Sequence, residues 1–184
     1  MRDRLMVSIS ALLFIASQAD IAAILVPLHP SIFSLQFAFT SDSFWHVIDL
    51  WGAPGVAAYR HHFRLDWIHP FIYGAFGVLL TTKTSLFAGV RTRAYRMALL
   101  SLPAAGVFDL LENAGRLYLL SEPHGSRSIL VPIAATCSSL KWTFALLFTL
   151  MVATQVAYKR WAKPVATDAA QARLSPGQAG QDDP

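Results

Sequence analysis

The stretch "FDLLENAGR" carries Asp109, Glu112, Asn113 and Arg116 at i, i+3, i+4 and i+7. On a helix that spacing makes one polar stripe. Lys141, in "SSLKWTF", is another charge set in an otherwise apolar run. Carboxylates, an amide and cations confined to apolar surroundings are suited to proton transfer, with Asp109 or Glu112 as the acid–base group and Lys141 and Arg116 setting its ionisation. Such chemistry calls for no cofactor. Other chemistries lack their residues: there is no D-D-x-x-D pair for diphosphate transfer, no P-loop and no G-x-S-x-G, and six histidines are too few for a histidine-box iron site. The one metal-like spacing is His62, Asp66 and His69 at i, i+4 and i+7, which an unbroken helix would bring to one face as zinc ligands. The plainer and preferred reading makes Arg60, His61, His62 and Arg64 interfacial groups meeting lipid phosphates and makes Asp66 a helix N-cap at a membrane edge, with no metal.

The elements that must hold these groups follow from composition. Of 184 residues, 54% are apolar and 14% charged, and the mean hydropathy of +0.44 is high for a water-soluble domain. The net charge of +4 does not signal nucleic acid, because the basic residues gather at segment ends and not in a stripe with aromatics. The single cysteine, Cys137, excludes a disulfide framework and reads as a small packed residue.

About 20 apolar residues cross a bilayer core, and four stretches qualify: residues 5–27, 66–83, 96–120 and 129–158. Residues 28–65 are aromatic, half polar and broken by Pro30, Gly52, Pro54 and Gly55, which marks an interfacial segment. Within it "TSDSFWHVIDLWG" predicts a short helix capped by Ser41 to Ser43 and ended by Gly52, and "PGVAAYRHHFRLD" a second. Residues 164–184 are nearly free of large apolar side chains, which predicts a disordered tail. The expected fold is therefore all-α: an integral membrane four-helix bundle over residues 1–163, with a short interfacial helical segment on its outer face.

Ten lysines and arginines flank the two termini and the 83–96 loop, against Arg60, Arg64 and Arg127 on the other side. The positive-inside rule puts both termini in the cytoplasm of a cell whose plasma (inner) membrane holds the protein. "MRDRLMVSISALLFIASQA" has the form of a signal peptide ending at Ala19, but the apolar sequence continues through "IAAILVP", which favours an uncleaved span. In that topology Asp109 lies about 16 Å below the outer end of the third span, near the bilayer middle. Lys141 is at a similar depth, Asp20 lies shallower, and Asp66 opens the second span. All of these charges fall between the midplane and the outer face, as one shared site would require.

A lone Lys or Asp at the bilayer centre costs about 2.5 to 3.5 kcal/mol on insertion scales, so partners are expected. Glu112 and Arg116 can pair within the helix, which leaves Lys141 for Asp109. Asp20, Asp66, Asp109 and Glu112 against Arg116 and Lys141 leave two carboxylates in excess, which favours protonation of one. Trp45, Trp51 and Trp67 read as an outer aromatic belt and Trp161 as an inner one, while Trp142, next to Lys141, reads as a wall of the site.

The blocks "RLDWIHPFIYG", "LPAAGVFDLLENAGRLYLL" and "SSLKWTFALL" resemble those of a group of small four-helix bacterial membrane proteins marked by D-x-x-x-P-x-x-Y, D-x-x-E-N and K-W. The resemblance covers about half of the chain and implies that Asp66, Pro70, Tyr73, Asp109, Glu112, Asn113, Lys141 and Trp142 are the marked positions; it implies no activity. In architecture alone the chain is similar to the sterol isomerase and sigma-2 receptor fold, which also buries carboxylates in a lipid-accessible cavity. Three classes of function fit: a membrane enzyme acting by acid–base chemistry on a lipid or isoprenoid-like molecule; a binding or transport module with the same residues as polar pocket or proton relay; and a structural subunit whose charges hold helices, copies of the chain or partner subunits together. Membrane lipids are partners in all three. A ligand-sized cavity beside Asp109 favours the first two, and a closed, fully paired network the third. The topology is checked by thiol labelling: a cysteine placed in the 83–96 loop should resist an impermeant reagent on intact cells, and Ser43→Cys should react. Labelling of the loop from outside reverses the orientation.

Overall fold

The computed structural model describes the backbone of residues 1–174 and the side chains of residues 1–161, and within that range the chain is all-helical with no strand. Six helices follow in order: α1 (Arg2–Leu25), α2 (Ile32–Gln36), α3 (Ser41–Asp66), α4 (His69–Lys83), α5 (Thr92–Leu119) and α6 (Leu130–Leu174). Three of them, α1, α5 and the Leu130–Trp161 part of α6, are long and apolar enough to cross a membrane. α4 has 15 residues, about 22 Å of helix, and is preceded by only Trp67 and Ile68 after α3.

Gly52 explains the shape of the 28–65 segment. At φ 59° and ψ −173° it breaks α3 into two arms, a conformation L-residues avoid, so the two expected helices meet there without a connecting loop. Pro54 starts the second arm, where a missing N–H is cheap. The first arm is capped by Thr40, not by Ser41 to Ser43: the Thr40 hydroxyl accepts from the Ser43 N–H, and Ser43 Oγ reaches back to the Thr40 N–H as a capping box. The five-residue helix α2 was not expected. Trp45 and Trp51 are core residues here, not belt residues. They pack with Phe44, Tyr59 and Phe63, and their indole N–H groups donate to the Ser126 and Pro30 carbonyls at 2.9 and 2.7 Å. Trp67 and Trp161 are exposed.

At the other end of the chain, α6 runs on through Leu174. Helical backbone thus extends into the segment expected to be disordered, and alanine favours helix. Residues 175–184 of that segment lie outside the described residues.

Packing order is α1 on α4, α4 on α5, and α5 on α6, while α1 and α6 meet at most at a point. Small residues let α4 and α5 approach. A Cβ added at Gly77 would lie 2.9 Å from Leu102 Cβ, and one at Gly106 would lie 3.2 Å from the Pro70 carbonyl oxygen. The distribution of polarity is inverted relative to a water-soluble helical protein: Asp109, Glu112, Asn113, Arg116, Ser101 and Ser138 are buried, whereas Leu12, Leu13, Ile15, Leu100, Leu146 and Leu150 are exposed. Overpacking at the α4–α5 contact sets a stability prediction. Gly77→Ala should cost about 1–3 kcal/mol, read as a lower melting temperature in detergent. Gly115→Ala, whose Cβ meets Ala134 at an ordinary 3.5 Å, should be neutral or stabilising.

Candidate functional site

The stripe on α5 faces inward as its spacing requires, and α6 brings Lys141 against it. Lys141 Nζ donates to Asp109 Oδ1 at 3.0 Å and lies 2.6 Å from Glu112 Oε2, an ion-pair contact off the hydrogen-bond direction, since that oxygen has no hydrogen-bond partner. Asp109 Oδ2 accepts from the Tyr73 hydroxyl of α4 at 3.1 Å. Three helices thus meet at one carboxylate.

The expected Asp109–Lys141 contact is present, but the expected Glu112–Arg116 pair is not. Glu112 turns to Lys141. Arg116, fully buried, donates through Nη2 to the Gln36 carbonyl at 3.0 Å, places its guanidinium carbon 5.5 Å from the Phe44 ring centre, and leaves Nε and Nη1 without partners among the described residues. The reason is topological: the turn from α2 into α3 supplies a carbonyl and an aromatic face to the guanidinium, and α6 supplies a competing cation to Glu112.

Asp66 is the last residue of α3 and not the N-cap of α4, whose N-cap is Ile68. Its carbonyl accepts from Asn113 Nδ2 at 3.3 Å, and its carboxylate Oδ2 lies 3.4 Å from His62 Nε2. His62 is buried rather than interfacial, whereas Arg60, His61 and Arg64 are exposed. The metal spacing does not close: His69 is turned to α1, with Nδ1 2.9 Å from Ser17 Oγ and Nε2 3.2 Å from Gln18 Oε1. Among the described residues no group of three or more His, Cys, Asp and Glu could hold a metal ion. Asp20 is exposed and does not line the site; two residues along α1, about 200° around the helix, separate it from Gln18, which lines the cavity.

These groups share the wall of one cavity of about 410 Å³. Asp109, Glu112, Lys141, Asp66, His62 and Tyr73 line it together with Gln18, Gln36, His69 and Asn113, and the remaining lining is mainly apolar, with Ile21, Ala22 and Leu25 of α1, Leu102 and Ala105 of α5, and Ala145 of α6. α1 and α6 both border it with little contact between them. α2 borders the cavity beside α6: Phe33 meets the Trp142 ring at 5.4 Å between centroids, and Trp142 Nε1 donates to Gln36 Oε1 at 3.0 Å. Trp142 is therefore part of the wall, as expected. Asp3 pairs with Lys83 at 3.8 Å and Lys159 donates to the Ser85 carbonyl, which brings one end of α1, α4 and α6 to a common basic level. Asp109 is about 26 Å along α5 from Thr92 near that level and about 15 Å from Leu119 at the other end.

Sequence reasoning missed the inward roles of His62, His69, Ser17, Gln18 and Gln36. The signal for His62 was available, since Tyr59, His62 and Asp66 at i, i+3 and i+7 repeat the spacing of the α5 stripe; nothing in the sequence marked Gln36. Compared with known families, characterised proteins and solved structures, the chain matches no family model, no protein and no structure.

Because Lys141 serves two carboxylates, its removal should cost more than removal of either. Lys141→Met should destabilise by about 3–5 kcal/mol, and Asp109→Asn by less, since Glu112 still holds the ammonium. The double variant should be more stable than the sum predicts, with a coupling of about 0.5–3 kcal/mol. Unfolding in detergent measures all three; simple additivity would show that the two groups do not interact.

Proposed function

We propose that the protein is a four-span integral protein of the plasma (inner) membrane, with both termini cytoplasmic, that takes a lipid or isoprenoid-like molecule sideways into its cavity and moves a proton on it. The inverted polarity supports the membrane setting, because exposed leucines on α1, α5 and α6 suit lipid and buried charges do not. α4 is short for a span, but the second arm of α3 continues it across Trp67 and Ile68. Of the positions that the resemblance to small four-helix bacterial membrane proteins marks, Asp66, Tyr73, Asp109, Glu112, Asn113, Lys141 and Trp142 line the cavity, and Pro70 lies close to Gly106.

The single observation that carries the reading is the cavity itself. Its volume falls within the range of about 300–1,000 Å³ typical of small-molecule sites, its lining is mainly apolar with a cluster of charged side chains, and α1 and α6 both border it with little contact between them. That lining fits a molecule with an apolar body and a polar end. Charges used only as interhelical glue need no cavity beside them, and Arg116 is not part of a closed, fully paired network. In the proposed reaction Asp109 or Glu112 exchanges a proton with the ligand, Lys141 holds the remaining carboxylate ionised, and Tyr73 fixes the Asp109 carboxylate in place.

The test combines capture with isotope exchange. Protein purified in nanodiscs is extracted with solvent and the bound molecules are identified by mass spectrometry, after incubation in deuterium oxide. Wild type should retain a molecule that Ala22→Phe or Ala145→Phe excludes, and that molecule should gain deuterium on carbon. Asp109→Asn should retain it with exchange slowed by about 10²–10⁴-fold. Capture without exchange in wild type would establish the binding or transport function instead. Equal background in wild type and both filled variants would leave the structural role.

A further inference from the structure

Two buried tyrosines line the cavity, and their hydroxyls are in opposite situations. The Tyr73 hydroxyl donates to Asp109 Oδ2 at 3.1 Å. Tyr59, on the second arm of α3, is only 2% exposed, yet its hydroxyl has no hydrogen-bond partner among the described residues; the residue is used through its backbone carbonyl, which faces His62 Nδ1. The other buried polar side chains of the wall all have contacts. His62 has the Tyr59 carbonyl, His69 has Ser17 and Gln18, and Asn113 has the Asp66 carbonyl. Asp66, Asp109 and Glu112 each have His62 or Lys141 within 3.4 Å.

Packing does not account for the hydroxyl. The Tyr59 ring is held by Trp51, His62 and Phe63, at 5.2, 4.7 and 5.1 Å between centroids, and a phenylalanine ring would make the same three contacts. A buried hydroxyl without a partner costs stability, and buried tyrosines ordinarily find one. Nor is this oxygen sealed inside protein, as the unpartnered Thr81 Oγ1 and Arg116 Nε and Nη1 are. The surface that Tyr59 retains belongs to the cavity wall. Tyr59, His62 and Asp66, at i, i+3 and i+7, share one face of α3, so the hydroxyl joins the polar part of that wall.

We propose that Tyr59 is a ligand-binding residue whose hydroxyl donates to an acceptor oxygen, a carbonyl or hydroxyl carried by an otherwise apolar molecule. The inference rests on the cavity's being a lipid-binding site. Donation sets the ligand class, because a phenol oxygen shares its electron pairs with the ring and is a better donor than acceptor. A pure hydrocarbon of the same shape leaves the hydroxyl without a partner, and a site with a polar group placed for its ligand discriminates against the analogue that lacks the matching group.

Tyr59→Phe removes the hydroxyl and keeps the ring, and two measurements on the full-length protein in nanodiscs test the assignment. In thermal unfolding of ligand-free protein, Tyr59→Phe should melt at or above the wild-type temperature, whereas Tyr73→Phe, which loses the Asp109 contact, should melt lower. In equilibrium binding, the probes are radiolabelled tridecan-2-one and its alkene isostere, in which C=CH2 replaces C=O. Ala145→Trp or Ala22→Trp, which fill the cavity from α6 and α1, define binding outside it; either one serves if the other fails to fold. The ketone should bind wild type more tightly than the alkene, and Tyr59→Phe should weaken ketone binding about 2- to 10-fold without changing that of the alkene. A lower melting temperature for Tyr59→Phe, or a ketone affinity that falls no more than the alkene's, would overturn the role of Tyr59 and leave the lipid site standing. No filling-sensitive binding of either probe by wild type would overturn both.

Discussion

The Lys141 ammonium, held between Asp109 and Glu112, is the contact on which the remaining geometry depends. It joins α6 to α5, and through Asp109 and Tyr73 it reaches α4. Buried ion pairs are weak sources of net stability, because desolvation offsets much of the attraction. What they provide is registry. Only one rotation and one axial position of α6 put its single intramembrane-type cation opposite two carboxylates a turn apart on α5, and that position also fixes Trp142 and Ala145 at the cavity wall. The apolar contacts of Phe144, Ala145, Phe148 and Val152 of α6 with Tyr73, Leu102 and Ala105 then add area without having to choose the alignment.

A second polar layer lies beyond the first and ties the irregular part of the chain to the helices. Asn113 holds the end of α3 through the Asp66 carbonyl, and Arg116 holds the end of α2 through the Gln36 carbonyl. Both are main-chain acceptors at helix C-termini, where carbonyls have no partner within the helix. The polar stripe on α5 thus has two duties along its length. Its first half, Asp109 and Glu112, faces Lys141 and the cavity; its second half, Asn113 and Arg116, satisfies backbone groups of the segment that borders the cavity.

The α5 stripe, its inward face and the Asp109–Lys141 contact could be read from the sequence because they follow from helical periodicity and from the cost of lone charges in apolar surroundings. The break at Gly52 was legible for a similar reason, since glycine and Pro54 punctuate the pattern. Partner choice was not. Glu112 could reach Arg116 within its own helix, and only the arrival of α6 and of the Gln36 carbonyl decided otherwise. The rotation of α1 was hidden as well: its apolar residues run all round, with Leu12, Leu13 and Ile15 exposed, so periodicity gave no reason to bring Gln18 in and leave Asp20 out. Trp45 and Trp51 show the limit of composition, because an indole fits a membrane interface or a core with a spare carbonyl equally well.

α1 precedes in the chain every residue that it packs against. Its neighbours are α4 and, to a lesser extent, α3, and the partner of its Ser17 and Gln18 side chains is His69, about fifty residues later. Among the described residues, the contacts of the first helix can form only once α3 and α4 have followed it. Ser17 has one partner sooner, the Phe14 carbonyl to which it donates at 3.1 Å within its own helix. The chain's last helix faces the opposite situation: α5, its main partner, is complete before α6 begins. The wall of the cavity made last is thus docked at once, and the wall made first waits longest for its neighbours.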